Sequence, residues 1–284
     1  MRISIFCISI LSTLLFSCVD VINLDLPEKD KRLVIEGLIT DWDTVYTIRL
    51  TKTTKYNYKI NNATETENGA TVVISDNAGK SDTLLETQSG IYRTNPNHIR
   101  GTIGLSYKLD IYTLSGKHYI SIPEVLTEAP KIDSLYFEKD YKDKYSDYAF
   151  KNYVYLDWKD PAGIPNYYLH HMSYYWGNTW HTENEWSSIA TDNTFDGKYL
   201  KKYLISSEYD GYNFFIRVTR YSLSKKAFEF WDLLNQQLYP RDDGIVNSNV
   251  PLMGNVYNAD NQDDFTLGYF QVSGKTVSQV YVDR

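Results

Sequence analysis

The sequence predicts a mainly β protein made of two β-sandwich-like domains, an immunoglobulin-like one followed by a fibronectin-III-like one that carries a single added helix. Three observations predict it. Residues 32–127 show short alternating apolar runs separated by turn residues at regular intervals, the pattern of an antiparallel sandwich. Tyrosine supplies 26 of the 284 residues, against 11 Phe and 6 Trp, and Tyr favours strands, where its ring packs on the sheet and its hydroxyl reaches water. Only one segment, near 224–238, has helical period.

The chain opens with an address. Met1–Ser17 carries one positive charge, Arg2, and an apolar run from Ile3 to Phe16. That run is too short for a stable span, which needs about 20 apolar residues, but suits the apolar core of a secretory signal. It ends Leu15-Phe16-Ser17-Cys18, which resembles a lipobox: small Ser17 admits the peptidase, and the Cys18 thiol can carry a diacylglyceryl group. Acyl chains contribute about 0.8 kcal/mol per buried CH₂, and two of them hold a protein on a membrane where one does not. The only other cysteine, Cys7, leaves with the signal. No intramolecular disulfide is then possible, and the exported domains depend on their cores. Residues 18–31, with Pro27 and the charged Glu28-Lys29-Asp30-Lys31, read as a tether reaching at most about 3.6 Å per residue, although the alternation of Val21–Leu26 also suits an edge strand.

Strands follow in order. Leu33–Gly37 and Tyr46–Leu50 flank the turn Asp41-Trp42-Asp43. Thr71–Ser75 runs into the reversal Asp76-Asn77-Ala78-Gly79, where Gly79 takes positive φ. Tyr107–Ile111 and Tyr119–Ile122 flank Ser115-Gly116, the clearest hairpin. Pro123 and Glu128-Ala129-Pro130 interrupt the pattern, and the second domain, 131–284, begins with Ile132–Phe137. The Lys-, Asp- and Tyr-rich stretch 140–148 reads as an exposed loop. In Tyr153–Trp158, the side chains of Val154, Leu156 and Trp158 share one face. Asp160–Pro165 forces a turn before the strand Tyr167–Tyr175, and Phe214–Val218 is another strand. Ser224 caps a helix that places Ala227, Trp231, Leu234 and Leu238 on one face, with Pro240 at its end. Residues 240–264, rich in Asp, Asn and Gly, read as loops. Leu267–Val272 returns as a late strand.

Charge and motifs narrow the function. A formal charge of −7 repels phosphate backbones and anionic headgroups, so nucleic-acid binding is not expected. The chain has no Gly-x-Ser-x-Gly elbow, no His-Glu-x-x-His pair and no phosphate-binding glycine loop, so no catalytic residues are assigned and no enzyme is expected. His181, Glu183 and Glu185 alternate as metal ligands on a strand would, but the neighbouring His170 and His171 point to opposite faces and cannot both join one site. Asp260, Asn261, Asp263 and Asp264 offer oxygen ligands without the glycine and closing glutamate of a calcium loop. Neither a metal nor a cofactor is expected. The segment Tyr174–Trp186 is the candidate binding site. Its Tyr174, Tyr175, Trp176, Trp180 and Trp186 lie among Gly177, Asn178, Thr179 and Asn184, so the rings cannot all be buried. The ligand-binding residues read from it are Tyr174, Trp176, Trp180 and Trp186, suited to a sugar face or a protein partner. The alternative is a core strand with a Tyr-rich rim.

A set of short motifs in order supports a family resemblance: the lipobox, Asp25-Leu26-Pro27, Leu33–Gly37, Ala70-Thr71-Val72, Gly90-Ile91-Tyr92, Ile132–Leu135, Asp160-Pro161 with Asn166-Tyr167-Tyr168, Phe230-Trp231 and Leu267–Phe270. Together they resemble the bacterial lipoprotein family labelled domain of unknown function 4249. The resemblance implies an outer-membrane lipoprotein, anchored through Cys18, that often accompanies a TonB-dependent transporter. It also implies an immunoglobulin-like first domain. It implies no activity and carries over no catalytic residue. The expected function is a non-enzymatic accessory protein that helps such a transporter capture its ligand. The alternative is a stand-alone glycan-binding or adhesion module, and a hydrolase ranks behind both.

Overall fold

Alternating burial builds the first sheet in the computed structural model, which describes residues 31–54, 65–96, 98–140, 151–176, 178–209, 213–239, 250–261 and 263–283. The signal, Cys18, most of the tether, the loop at 141–148 and Pro240 lie outside them. β1 (Leu33–Thr40), β2 (Thr47–Lys52), β3 (Thr71–Asp76), β7 (Ser106–Tyr112) and β8 (His118–Ser121) realise the predicted strands. Ile35, Ile48, Leu50, Ile74 and Leu109 are fully buried in one core. Each such side chain contributes roughly 1.5–3 kcal/mol. The predicted reversal after β3 forms as read: Asp76 Oδ1 accepts from the amides of Ala78 and Lys80 at 2.9 and 2.8 Å, and Gly79 sits at φ +89°.

Short strands complete the sheet. β4 (Ser81–Thr83) and β5 (Leu85–Gln88), absent from the sequence reading, stand at opposite ends of the strand order, with β6 (Ile91–Arg93) beside β5. Because β4 and β5 are consecutive, broken only at Leu84, the chain itself nearly closes the sheet into a flattened barrel. β9 (Glu124–Val125) pairs with β7.

Tyrosines hold the loops of this sandwich. Tyr46, Tyr92 and Tyr107 are buried, and their hydroxyls bond backbone groups. Tyr46 donates to Thr40 O at 2.6 Å and accepts from Gly101 N. Tyr92 donates to Glu67 O and accepts from Ala70 N. Tyr107 donates to Arg100 O and accepts from Thr102 N. A ring filling the core with its polar tip at the rim satisfies loop groups that would otherwise be stranded.

The second sandwich packs three strands on four. β10 (Ser134–Asp140), β11 (Lys151–Lys159) and β14 (Tyr199–Tyr209) form one sheet. β13 (Thr179–Thr191), β12 (Tyr167–Trp176), β15 (Phe214–Leu223) and β18 (Lys275–Val282) form the other, in that order. Val154, Leu156 and Trp158 share one buried face, as expected, and meet Tyr168, Met172 and Ile216 across the core. The three-on-four layout agrees with the expected fibronectin-III-like arrangement. β14 and β18 carry no strand signal in the sequence analysis, and β13 realises the strand considered there as the alternative for the aromatic segment.

Between β15 and β18 the chain leaves this sandwich and returns. Helix α1 (Lys225–Leu238) begins at the predicted cap, with Ser224 Oγ accepting from Ala227 N at 3.1 Å. Ala227, Phe230 and Trp231 pack over Leu169 and Tyr221 on the outer face of the four-stranded sheet. β16 (Met253–Asn258) and β17 (Phe265–Ser273) then join the first sheet: β16 pairs with β8, and β17 pairs with β1 in parallel, Val34 opposite Leu267. β16 corrects the expectation of loops throughout 240–264. Its ladder to β17 is broken between Met253 and Tyr257, and the buried Asn255 side chain fills the gap, donating to Phe270 O and accepting from Phe270 N. An Asn-rich run can therefore be a strand where its amide replaces missing backbone partners. β16 and β17, which fall within the span 131–284 expected to form the second domain, thus complete the first sheet.

Candidate binding face

Strand alternation and cross-strand register assemble a row of rings that no local pattern reveals. Tyr175 on β12 stands opposite Trp180 on β13 and opposite Phe215 on β15, and Phe215 stands opposite Tyr281 on β18. All four lie on the outer face of the sheet, the face that α1 covers at Leu169 and Tyr221. Phe215 is 38 % and Tyr281 45 % exposed, whereas their neighbours Phe214 and Val282 are buried in the sandwich. The rings form two tilted pairs: Tyr175 and Trp180 with centroids 5.3 Å apart, and Phe215 and Tyr281 4.9 Å apart. Strands lie about 4.8 Å apart, so the row is on the order of 14 Å long.

A polar row runs beside it. Ser173, Arg217 and Gln279 are opposite one another, two residues along each strand. The Arg217 guanidinium lies 3.6 Å from the Trp180 ring centroid and donates to Gln279 Oε1 at 3.5 Å. Tyr175 OH donates to Asn178 Oδ1, and Tyr281 OH to Asn213 Oδ1. Asn178 and Asn213 both hold positive φ, which marks them as the turn residues that end these strands.

Of the four ring residues predicted, Trp180 is on this face. Tyr174 faces the other way, partly buried against the sandwich core and stacked on His181 at 5.1 Å. Trp176 lies on β12 and Trp186 on β13, with side chains outside the described residues. Phe215, Tyr281 and Arg217 are the members that the sequence does not single out; Tyr175 belongs to the candidate segment but not to the four ligand-binding residues read from it. Alternation in Phe214–Val218 does separate Phe215 and Arg217 from the buried Phe214, Ile216 and Val218, but nothing local brings β18 alongside.

The metal candidates that the structure describes each have a defined setting. His170 and His171 point to opposite faces, as expected. His170 is inside the sandwich, its Nε2 accepting from Arg220 Nε at 3.0 Å; burial, then the Arg220 charge, holds it neutral with a pKa well below the usual value. His171 lies under the helix, edge-on to Tyr221 and Trp231, and burial lowers its pKa to about 4. Of His181, Glu183 and Glu185, all on β13, the side chains of Glu183 and Glu185 lie outside the described residues; the register of β13 with β12 shifts between Thr182 and Ser187. At the acidic stretch 260–264, Asp264 Oδ2 accepts from Lys117 Nζ, Tyr119 OH and Asn258 Nδ2. Asn258 and Asn261 cap the turn amides. These residues form a turn held by its own side chains.

A carboxylate group that the sequence did not reveal is Asp160, Asp192 and Asp196, whose oxygens lie within 4.8 Å of one another. Each holds a loop. Asp160 accepts from Tyr168 OH at 2.5 Å and from Gly197 N, Asp192 from Asn166 N, and Asp196 from Gly163 N. This network joins the turns at 160–166 and 192–197.

The fold is that of packed β-sheets, and the four partly exposed rings stand in register on the outer face of one of them. The chain belongs to the family described as domain of unknown function DUF4249, whose model matches residues 19–279. Among curated proteins, none matches it.

Proposed function

We propose that the chain is a non-enzymatic, lipid-anchored accessory protein of the outer membrane, working beside a TonB-dependent transporter in ligand capture. Its contact surface is the Trp180–Tyr175–Phe215–Tyr281 row. The observation that carries this reading is the row itself: aromatic side chains from four strands, Phe215 and Tyr281 exposed and Tyr175 and Trp180 partly so, on a sheet face that a helix covers elsewhere. Such rings supply large contact area at low entropic cost. The carboxylates of Asp160, Asp192 and Asp196 are engaged in holding loops, which favours binding over catalysis. Attachment through Cys18 would raise the effective concentration of this surface beside a pore without tight affinity.

Copurification after mild detergent extraction tests the reading. The native chain, carrying a diacylglyceryl-modified Cys18 by mass spectrometry, brings a transporter with it, and Phe215→Ala with Tyr281→Ala releases it. If other surface lipoproteins retain their transporters while this one comes alone, the partnership is wrong. The polar row of Ser173, Arg217 and Gln279 beside the rings favours a second reading, a stand-alone glycan-binding module. That module would bind sugar with no transporter present and lose binding on Trp180→Ala or Trp186→Ala.

A further inference from the structure

The face combines flat apolar surface with positive charge. Arg217 is stacked on Trp180, and Lys275, on the same side of β18, places its ammonium 4.3 Å from the Trp42 ring centroid. Among the described residues neither cation forms an ion pair with a carboxylate: Arg217 has Gln279 and the Trp180 ring, and Lys275 has the Trp42 ring. Both stand on the outer face of β15 and β18. Burial and then the Arg217 charge lower the Lys275 pKa, while Asp41, whose carboxylate accepts from the Lys275 amide, raises it, so Arg217 is the cation with no carboxylate beside it among the described residues. At physiological salt the Debye length is about 8 Å, so this local charge, and not the net charge of −7, decides what approaches the face. A guanidinium already fixed by stacking loses little freedom when it accepts a carboxylate on its remaining N–H edge.

We propose that the row binds an acidic polysaccharide, with pyranose rings against Trp180, Tyr175, Phe215 and Tyr281 and a uronate carboxylate on Arg217. The proposal rests on the row being the contact surface and names its ligand. The ring-to-ring advance of about 4.8 Å is comparable to that of sugar units along an extended chain. Ser173 and Gln279 lie in the adjacent row to meet hydroxyls. A purely apolar partner would leave Arg217 desolvated without a counter-charge, which is costly. A uronate supplies both the apolar ring face and the charge.

The test uses the full lipidated chain in detergent micelles against polygalacturonate, alginate and hyaluronate, with carboxyl-reduced polygalacturonate as the neutral comparison. Wild type binds at least one acidic polymer, and added salt weakens the binding. Arg217→Gln and the Phe215→Ala/Tyr281→Ala pair each weaken it at least tenfold, about 1.4 kcal/mol, with unchanged thermal unfolding. Equal binding of the carboxyl-reduced polymer, no loss in Arg217→Gln, or no binding of any acidic polymer overturns the acidic ligand. If transporter copurification is nevertheless lost in the ring variants, the contact surface stands and only its ligand is wrong. If the ring variants change neither binding nor copurification, both proposals fail.

Discussion

Arg220 places a positive charge at the centre of the second sandwich, fully buried and 4.0 Å from the Trp158 ring centroid. Its Nε donates to His170 and its Nη1 to Pro130 O. Burial lowers its pKa to about 10, so it stays charged at neutral pH. Truncation leaves a cavity and strands His170, and Arg220→Ala is expected to cost about 3 kcal/mol. Arg220→Met keeps the apolar volume and is expected to cost less than half of that, as read from urea unfolding at pH 7. The histidines set a pH dependence. His171 titrates near 6.5 when unfolded but at about 4 when folded, so the unfolded chain takes up the proton first. The stability it contributes is complete above pH 6.5 and is lost as pH falls towards 4, up to about 3 kcal/mol. Buried His170 acts in the same direction. Glu124 opposes them: burial raises its pKa, and the fold gains stability as that proton binds. Urea midpoints between pH 7 and 4.5 are expected to fall, and His171→Gln to flatten the slope. A slope unchanged by that substitution would remove His171 from the account. The same residues show what was legible in the site. The opposite facing of His170 and His171 follows from strand period, but the partner of His170 is fifty positions away and belongs to no local pattern.

At the scale of elements, agreement tracks how local the cause is. The helix is legible because its cap and its length are encoded within one segment; of the expected face Ala227 and Trp231 pack on the sheet, joined by Phe228 and Phe230, while Leu238 is exposed. Ser224→Ala is expected to lower stability by about 1 kcal/mol, as a shift in thermal unfolding of the full chain; a change near zero would mean that another acceptor holds the Ala227 amide. Strands with clean alternation and a turn beside them, such as β3 and the β7–β8 pair, were equally plain. β4, β5 and β9 were not, because each is only two to four residues long and gains its order from neighbours on the sheet. β16 was read as loop because its Asn and Gly are poor strand formers. Gly254 and Gly268 explain the choice: a Cβ at Gly254 would overlap the Gly268 carbonyl oxygen, and one at Gly268, at φ +80°, would overlap that of Ile35. Glycine lets β16, β17 and β1 approach this closely.

The whole of Lys31–Arg284 is one packed unit, and its two sandwiches are joined where two connections meet. Gly274 alone separates β17 in the first sheet from β18 in the second sandwich. Its amide donates to Thr127 O at 2.9 Å, which also accepts from Ser222 Oγ at 2.6 Å. Pro130 O accepts from Arg220 and Thr276, and the Asp41-Trp42 turn grips the backbone of Lys275 from the other side. Ending the chain at residue 249 removes Val256, Phe270 and Val272 from the first core and opens the edges of β1 and β8. Three such side chains are worth roughly 5–9 kcal/mol, comparable to the total stability of a domain. The truncated chain is therefore expected to lose near-UV circular dichroism and cooperative unfolding. A retained cooperative transition from the first sandwich would show that β16 and β17 are accessory. The sequence by itself determined the β class, the single helix and the long alternating strands, because period, capping and turn chemistry act over a few neighbouring residues. Only the tertiary structure decided that the late strands return to the first sheet and that Trp180, Tyr175, Phe215 and Tyr281 form one row. Pairing between distant strands depends on loop closure and shared burial, which leave no mark in any local stretch of chain.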